Sequence, residues 1–313
     1  MNYRTKCIAI CVVAVFVVMS SISVLALEES DKKIFIDHLG RTVIIEGEPQ
    51  RVIALTRAYI EELFEIGVTP VAKVDEYNNR LEGVSLPSVG RQSNPDLEAI
   101  YAMQPDLIIA NTRQHSNLLE LLEQTGAEVF FVNPNKVDVD PLTDRIIIFG
   151  SLFGREDFVR DYMRELDELS ESLREALQPY NYKTGLIVQG GTDSIRVAMP
   201  TGLYGSLLNR LGIDNIVVAG LAGAGQSTWV NFDLETLLQL DPSVILIRAA
   251  GSSERNIAVL LANYTENPQW QSLTAIQSGR IFVLPARVNP GNISNADAIR
   301  VTFETLASDW IED

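Results

Sequence analysis

The feature that most constrains this chain is a stretch that occurs twice. Residues 94–110 read as a capped helix, a proline stop and a buried strand. Asn94 can cap, and Pro95 suits the first helical position, where its missing N–H would find no partner anyway. Leu97, Ile100 and Tyr101 fall on one helical face. Pro105 stops the helix, and Leu107 to Ala110 form an apolar run of strand type. Residues 233–247 carry the same Asp-Leu-Glu, the same apolar spacing, the same proline and the same strand, 137 positions later. Two further blocks repeat in the same order. Tyr59 with Leu63 to Val68 matches Tyr204 with Leu208 to Ile213, shifted by 145, and Gly126 to Phe130 matches Gly279 to Val283, shifted by 153. So long a period excludes a solenoid. It implies two similar α/β lobes, and 313 residues are more than one ordinary core needs.

The rest of the pattern agrees. Lys33 to Glu48 reads as a hairpin turning at His38 to Arg41. Arg51 to Leu55 is a strand, and Tyr59 to Ile66 a helix with Glu61, Glu62 and Glu65 facing outward. Val71 to Val74 is a strand, and residues 75–94 read as loop. Leu118 to Gln124 and Glu128 to Val132 add a helix and a strand. This alternation gives mostly parallel sheets. Between residues 140 and 180 apolar residues recur at threes and fours, from Ile146 to Leu177. A long helix from about Glu156 to Leu177 spans roughly 33 Å, enough to join two lobes. The α/β rhythm then restarts with strands at Thr184 to Val188, Ile216 to Val218 and Arg280 to Leu284. Helices are expected at Tyr204 to Leu211, Ile257 to Tyr264, Trp270 to Ile276 and Asp297 to Trp310, with a glycine-rich loop at Ala219 to Ser227. The division is residues 1–26, 27–140 (first lobe), 141–180 (interlobe helix) and 181–313 (second lobe).

Residues 1–26 read as an export segment. Arg4 and Lys6 precede the apolar run Cys7 to Val18, and Val24-Leu25-Ala26 permits cleavage after Ala26. The run either is cleaved as a signal peptide or stays as a membrane anchor, and the protein works outside the cytoplasm. Cleavage removes two positive charges and takes the formal net charge from −16 to −18. Such acidity argues against nucleic acid or an anionic membrane surface as the main partner. Both cysteines lie in this segment, so the remainder has neither disulfides nor a thiolate metal site. Asn263-Tyr264-Thr265 and Asn292-Ile293-Ser294 match the glycosylation triplet, which also arises by chance.

Catalytic constellations are scarce. The chain has two histidines, His38 and His115, no Gly-x-Ser-x-Gly elbow and no phosphate loop of Walker type. No enzyme activity, cofactor or bare metal site is expected. His38 reads as a turn residue. His115 follows a strand end, where α/β sheets bind ligands, but a structural role suits it better. Strand ends are more telling. Arg57 and Tyr59, Arg113, Arg248 and Arg287 follow predicted strands, and Arg91 and Trp229 lie just before the two copies of the repeated helix. Each read singly suits a solvated loop. Together they provide arginine forks for carboxylate or phosphate, with aromatic contact area. That set fits a sizeable anionic ligand with apolar parts held between the lobes.

The chain resembles the iron-complex and vitamin B12 class of solute-binding proteins of ATP-driven (ABC) importers. The resemblance covers about Ile34 to the C-terminus. It rests on Asp37-His38-Leu39-Gly40-Arg41-Thr42-Val43 with Pro49-Gln50-Arg51-Val52-Ile53-Ala54-Leu55, and on Asp96-Leu97-Glu98-Ala99-Ile100 with Gln104-Pro105-Asp106-Leu107-Ile108. Asn267-Pro268-Gln269-Trp270 with Ser278-Gly279-Arg280-Ile281-Phe282 completes it. It implies two α/β lobes joined by a rigid helix, the class III periplasmic-binding-protein architecture, and a monomer. It further implies a metal chelate (a ferric siderophore, haem or a corrinoid such as cobalamin) captured in the interlobe cleft and passed to the importer. In this class a glutamate on each lobe docks on the permease dimer, and the matching positions are Glu98 and Glu235. Two other readings stay open: a chelatase or nitrogenase-like enzyme of paired-lobe build, and a ligand sensor without transport.

Overall fold

The computed structural model describes residues 32–192, 194–217, 227–249 and 257–308. The export segment, most of the glycine-rich loop and Trp310 lie outside them. The order is β1 (Lys32–Ile36), β2 (Thr42–Glu46), β3 (Val52–Ala54), α1 (Arg57–Glu65), α2 (Leu81–Val84), β4 (Gly90–Arg91), β5 (Asn94–Pro95), α3 (Leu97–Ala102), β6 (Leu107–Asn111), α4 (Thr112–His115), α5 (Leu119–Glu123), β7 (Glu128–Val132), α6 (Asp144–Leu152) and α7 (Glu156–Leu177). Then come β8 (Thr184–Gly191), β9 (Ser194–Ala198), α8 (Leu203–Arg210), β10 (Asp214–Asn215), β11 (Trp229–Phe232), α9 (Leu234–Leu240), β12 (Val244–Arg248), α10 (Ile257–Thr265), α11 (Thr274–Gln277), β13 (Ile281–Leu284) and α12 (Asn295–Ala307).

Two parallel sheets share one plan. In the first lobe β3, β6 and β7 run parallel in that order, and Ala72 adds a parallel bridge to Ile53 on the outer side of β3. In the second, β8, β12 and β13 run parallel in the same order, with β10 parallel to the start of β8. The segment Val71 to Val74 therefore contributes isolated bridges rather than a full strand. The second lobe also extends its sheet with β9 and β11, both antiparallel. The sequence reading had no strand at either place. A hairpin turn after Gly191 joins β8 to β9, and β9 with β11 fills one flank of the sheet.

The repeated unit is a helix, a left-handed residue, a proline and a strand. Its N-cap is Asp96, which accepts from Glu98 N and Ala99 N, and in the second copy Asp233, which accepts from Thr236 N. Asn94 and Pro95 instead form β5, because Pro95 pairs with Gly90. Gln104 (φ 47°) and Asp241 (φ 38°) both adopt left-handed backbone just before the proline. The residue after each proline then ties down the neighbouring strand. Asp106 accepts from Arg51 N at 3.0 Å, and Ser243 Oγ accepts from Thr184 N at 3.0 Å.

The helix α7 joins the lobes as its periodicity predicts. Val159, with Tyr162 and Met163, packs into the core that holds Ile146 and Phe149. Leu166 and Leu177 pack into the core of Leu207, Leu246 and Ile299. Charged positions face solvent and carry i,i+3 pairs such as Arg174–Glu171, worth little individually.

The glutamates of α1 are not outward. Glu61, Glu62 and Glu65 are 2%, 6% and 9% exposed, and each is fully engaged. Glu61 accepts from Tyr77 OH (2.7 Å), Asn79 Nδ2 (2.8 Å) and Arg80 Nε (2.8 Å), which folds residues 75–84 onto the helix. Glu62 takes a forked pair from Arg145 of α6 at 2.9 and 2.6 Å. Glu65 accepts from Tyr162 OH of α7 and, at 3.0 Å, from Asn295 N at the start of α12. A period-3.6 argument assigns faces but cannot see partners brought from distant elements.

Burial lifts the Glu65 carboxyl to about 7, against the donated hydrogen bonds that favour its charge. The native state therefore holds this proton over a window where the unfolded chain, near the ordinary carboxyl value, has released it. Stability contributed by the group is full below about pH 4.5 and is lost as pH rises through about 7. Denaturant titrations at pH 5 and pH 8 should show wild type losing more stability across that interval than Glu65→Gln, by on the order of 3 kcal/mol.

Candidate functional site

The parallel strands point their C-terminal ends at the gap between the lobes, and the loops leaving them build a cleft of about 610 Å³. That is the size range of small-molecule sites. From the first lobe come Thr56, Arg57 and Tyr59 after β3, Asn111 and Arg113 at the end of β6, and Gln92. The second lobe supplies Gln189 of β8, Tyr204 of α8, Trp229 of β11, Arg248 of β12, and Asn289 with Pro290 after β13.

Each position has a local cause. Thr56 caps α1, accepting from Tyr59 N at 3.3 Å, so the chain turns into the cleft where β3 ends. Asn111 Oδ1 accepts from Arg113 N at 2.9 Å and starts α4. His115 is fully buried behind it. Its Nδ1 accepts from Asn111 N at 3.0 Å, and its Nε2 donates to Gln92 O at 2.7 Å. This fixes the tautomer, and desolvation lowers its pKa. His115 is thus a scaffold residue that pins two cleft segments together.

The arginines differ in what neutralises them. Arg145 also lines the cleft, but Glu62 holds it in a buried bidentate pair. Arg57, Arg113 and Arg248 have no carboxylate within 4.0 Å among the described residues. Arg248 is held instead by neutral groups. Its Nε donates to Tyr204 OH at 2.7 Å, its Nη1 to Gln189 Oε1 at 3.0 Å, and its guanidinium lies 5.3 Å from the Tyr204 ring centre. Tyr204 and Trp229 pack with ring centres 5.2 Å apart. Arg57 Nη1 donates to Asn292 Oδ1 at 3.2 Å, across the lobe boundary. Three arginines without counter-charge among the described residues, in a chain of net charge −16, leave local positive charge suited to an anion.

Of the seven ligand positions expected from the sequence, the cleft gathers Arg57, Tyr59, Arg113, Trp229 and Arg248. Trp229 sits on a strand rather than in a loop, paired with Ala198. Tyr59 is 1% exposed; its hydroxyl donates to Val132 O at 3.2 Å and accepts from Asn111 Nδ2 at 3.1 Å. Arg91 is not in the cleft. It is exposed on β4, 3.7 Å from Glu76, because the β4–β5 pair turns it onto a separate surface shared with Glu98. Arg287 is exposed too and does not line the cleft. A turn closed by Val288 N to Pro285 O at 2.9 Å buries Val288 and turns its neighbour out. Sequence reasoning missed Tyr204, Gln189, Gln92 and Asn289. Tyr204 had a signal, since it opens a repeated block at the place where Tyr59 opens the other.

Glu98 and Glu235 are both exposed, in the first turns of α3 and α9. Each helix returns antiparallel to its sheet, so its N-terminus lies at the strand ends that carry the cleft.

The model of the periplasmic binding protein family matches residues 52–288. The chain belongs to that family. It is a solute-binding protein and not an enzyme. The Fe(3+)-citrate-binding protein YfmC of Bacillus subtilis is 24% identical over 261 residues, covering 82% of this chain and 79% of that one. The Fe(3+) dicitrate-binding periplasmic protein FecB of Escherichia coli is 28% identical over 250 residues, 77% of this chain and 78% of that one. Among solved structures, SirA of Staphylococcus aureus complexed with staphyloferrin B has a TM-score of 0.69 at 20% identity, covering 88% of this chain and 98% of that one. That likeness confirms the two-lobe, long-helix fold. Relatives are named as periplasmic proteins or lipoproteins, and this binding protein is extracytoplasmic. No helix among the described residues is long and apolar enough to cross a membrane.

The Tyr59 hydroxyl serves the scaffold, so Tyr59→Phe should destabilise the fold by about 1–3 kcal/mol, the cost of leaving buried partners unpaired. Chemical denaturation measures it. Ligand affinity, measured on the folded variant, should change far less than in Arg248→Ala.

Proposed function

We propose that this protein captures an anionic ferric chelate whole in the interlobe cleft and, as a monomer, delivers it to an ABC importer. The observation that carries this is the trio Arg57, Arg113 and Arg248, without carboxylate partners among the described residues, at a cleft both lobes build. The lining offers guanidinium forks, amides and the Tyr204–Trp229 pair. These are groups that grip the carboxylates and apolar faces of a chelate. No group of three or more His, Cys, Asp or Glu suited to a bare ion occurs among the described residues. Relatives named for ferric citrate, ferric anguibactin and achromobactin support the ligand class. Haem, named for a more distant relative, and cobalamin are weaker fits to three unpaired cations.

Glu98 and Glu235 would dock on basic residues of the permease dimer. Support comes from their equal places in the repeat, their exposure and their position beside the cleft. As first-turn acids they also suit the helix N-terminus electrostatically, which is compatible with docking. The apolar run ahead of the fold serves either as a cleaved signal or as an anchor that keeps the protein near its importer.

Titration of tryptophan fluorescence, with Trp229 in the cleft as reporter, should saturate with ferric citrate or a carboxylate siderophore and respond less to haem and cobalamin. Absence of binding to every ferric chelate would sink the ligand assignment. Charge reversal at both Glu98 and Glu235 to Lys should abolish uptake in cells while leaving chelate affinity within about twofold. Undiminished uptake in the double variant would refute the docking role.

A further inference from the structure

The helix α1 belongs to the first lobe, yet a segment of the second grips both its ends. At its start, Arg57 Nη1 donates to Asn292 Oδ1 at 3.2 Å. Next to that bond Gly291, at φ +79°, lies flat on the helix. A Cβ there would sit 2.5 Å from Arg57 C and 2.7 Å from Ala58 N. Real side chains do not come that close, so only glycine fits, and the left-handed backbone favours it as well. At the far end of α1, Glu65 Oε1 accepts from Asn295 N at 3.0 Å. Asn295 Nδ2 donates to Leu142 O at 2.8 Å and to Tyr162 OH at 3.2 Å. The short run from Gly291 to Asn295 is therefore a strap along α1, fastened at both ends.

The strap matters for the cleft because Asn289 and Pro290 just before it line the cleft, as does Arg57. Arg57 has no carboxylate to hold its guanidinium among the described residues. Asn292 is the side chain that fixes it, and a neutral amide leaves its charge intact. An acid there would fix it equally well and cancel the charge a ligand needs.

We propose that Asn292, seated by Gly291, is a positioning residue. It aims the Arg57 guanidinium into the cleft and so sets the preference for chelates that carry a carboxylate. This inference rests on the anionic-chelate reading above and assigns one part of it to the second lobe.

The test is a double-mutant cycle on the full-length protein with two probes, ferric citrate and a ferric tris-hydroxamate that has no carboxylate. Asn292→Ala should weaken ferric citrate by about tenfold, the range for a hydrogen bond to a charged group, and leave the hydroxamate within about twofold. In an Arg57→Ala background the same substitution should add less than about twofold, because its effect runs through Arg57. Gly291→Ala, which lifts the strap, should show the same selectivity for the carboxylate probe. Equal losses for both probes would mean that the strap merely shapes the fold, and would overturn the proposal. So would no loss, or full additivity with Arg57→Ala. Wild-type protein that binds hydroxamate but not citrate would overturn it while sparing the chelate reading. Binding of neither probe would overturn this proposal, and absence of binding to every ferric chelate would bring down the chelate reading with it.

Discussion

The fold depends on how one nine-residue helix disposes of three buried carboxylates. Glu61, Glu62 and Glu65 each reach a different part of the molecule: the 77–80 loop, the helix α6, and the junction of α7 with α12. Buried charge is tolerated only with partners in place, and removing one partner typically costs several kcal/mol. The network therefore specifies more than it stabilises. The two lobes have separate apolar cores, and apolar packing alone allows many relative orientations. Directional bonds from α1 select one of them. The Glu62–Arg145 pair also withdraws one cleft arginine from ligand duty, so the same helix decides which cations stay available.

Duplication gives the second constraint, and it reaches below the sequence pattern. Each copy of the unit is capped by an aspartate, turns through a left-handed residue before its proline, and uses the next side chain to fasten the adjacent strand. The fastening groups differ, carboxylate in Asp106 and hydroxyl in Ser243, yet both accept from backbone N–H at a strand start. The shared requirement is a buried-strand entry without unpaired donors. This is why the two sheets keep one strand order although the second lobe adds β9 and β11.

What the sequence made legible follows from period and punctuation. The helix α7 was readable to its ends because its apolar stripe is long and Gly154 and Pro179 bracket it. The paired lobes were readable because three blocks recur in order. The strands β9 and β11 were not, since four or five residues give little period and Gly190-Gly191-Thr192 reads equally as a plain loop. The outward assignment of Glu61, Glu62 and Glu65 failed for another reason. Polarity predicts exposure unless a partner arrives, and Arg145 and Asn295 arrive from 83 and 230 positions away. Arg91 and Arg287 lie outside the cleft because a strand end fixes the neighbourhood, whereas a single turn fixes the direction. Arg57, Arg113 and Arg248 line the cleft because they stand at strand ends where it begins.

An acidic molecule with a cationic cleft also answers a kinetic question. Far from the protein, the net charge repels an anionic ligand. Charges farther apart than about 8 Å are screened at physiological ionic strength, so an approaching chelate feels local groups rather than the total. Inside the cleft, low-dielectric walls strengthen the attraction of three guanidinium groups. Acidity elsewhere then costs little in capture. The charge pattern thus separates along one axis: cations gather at the strand ends that line the cleft, and acids at the nearby helix starts face outward. The repeat supplies both on each lobe, because the same turn from strand to helix that exposes a strand end also begins the exposed turn of α3 and of α9.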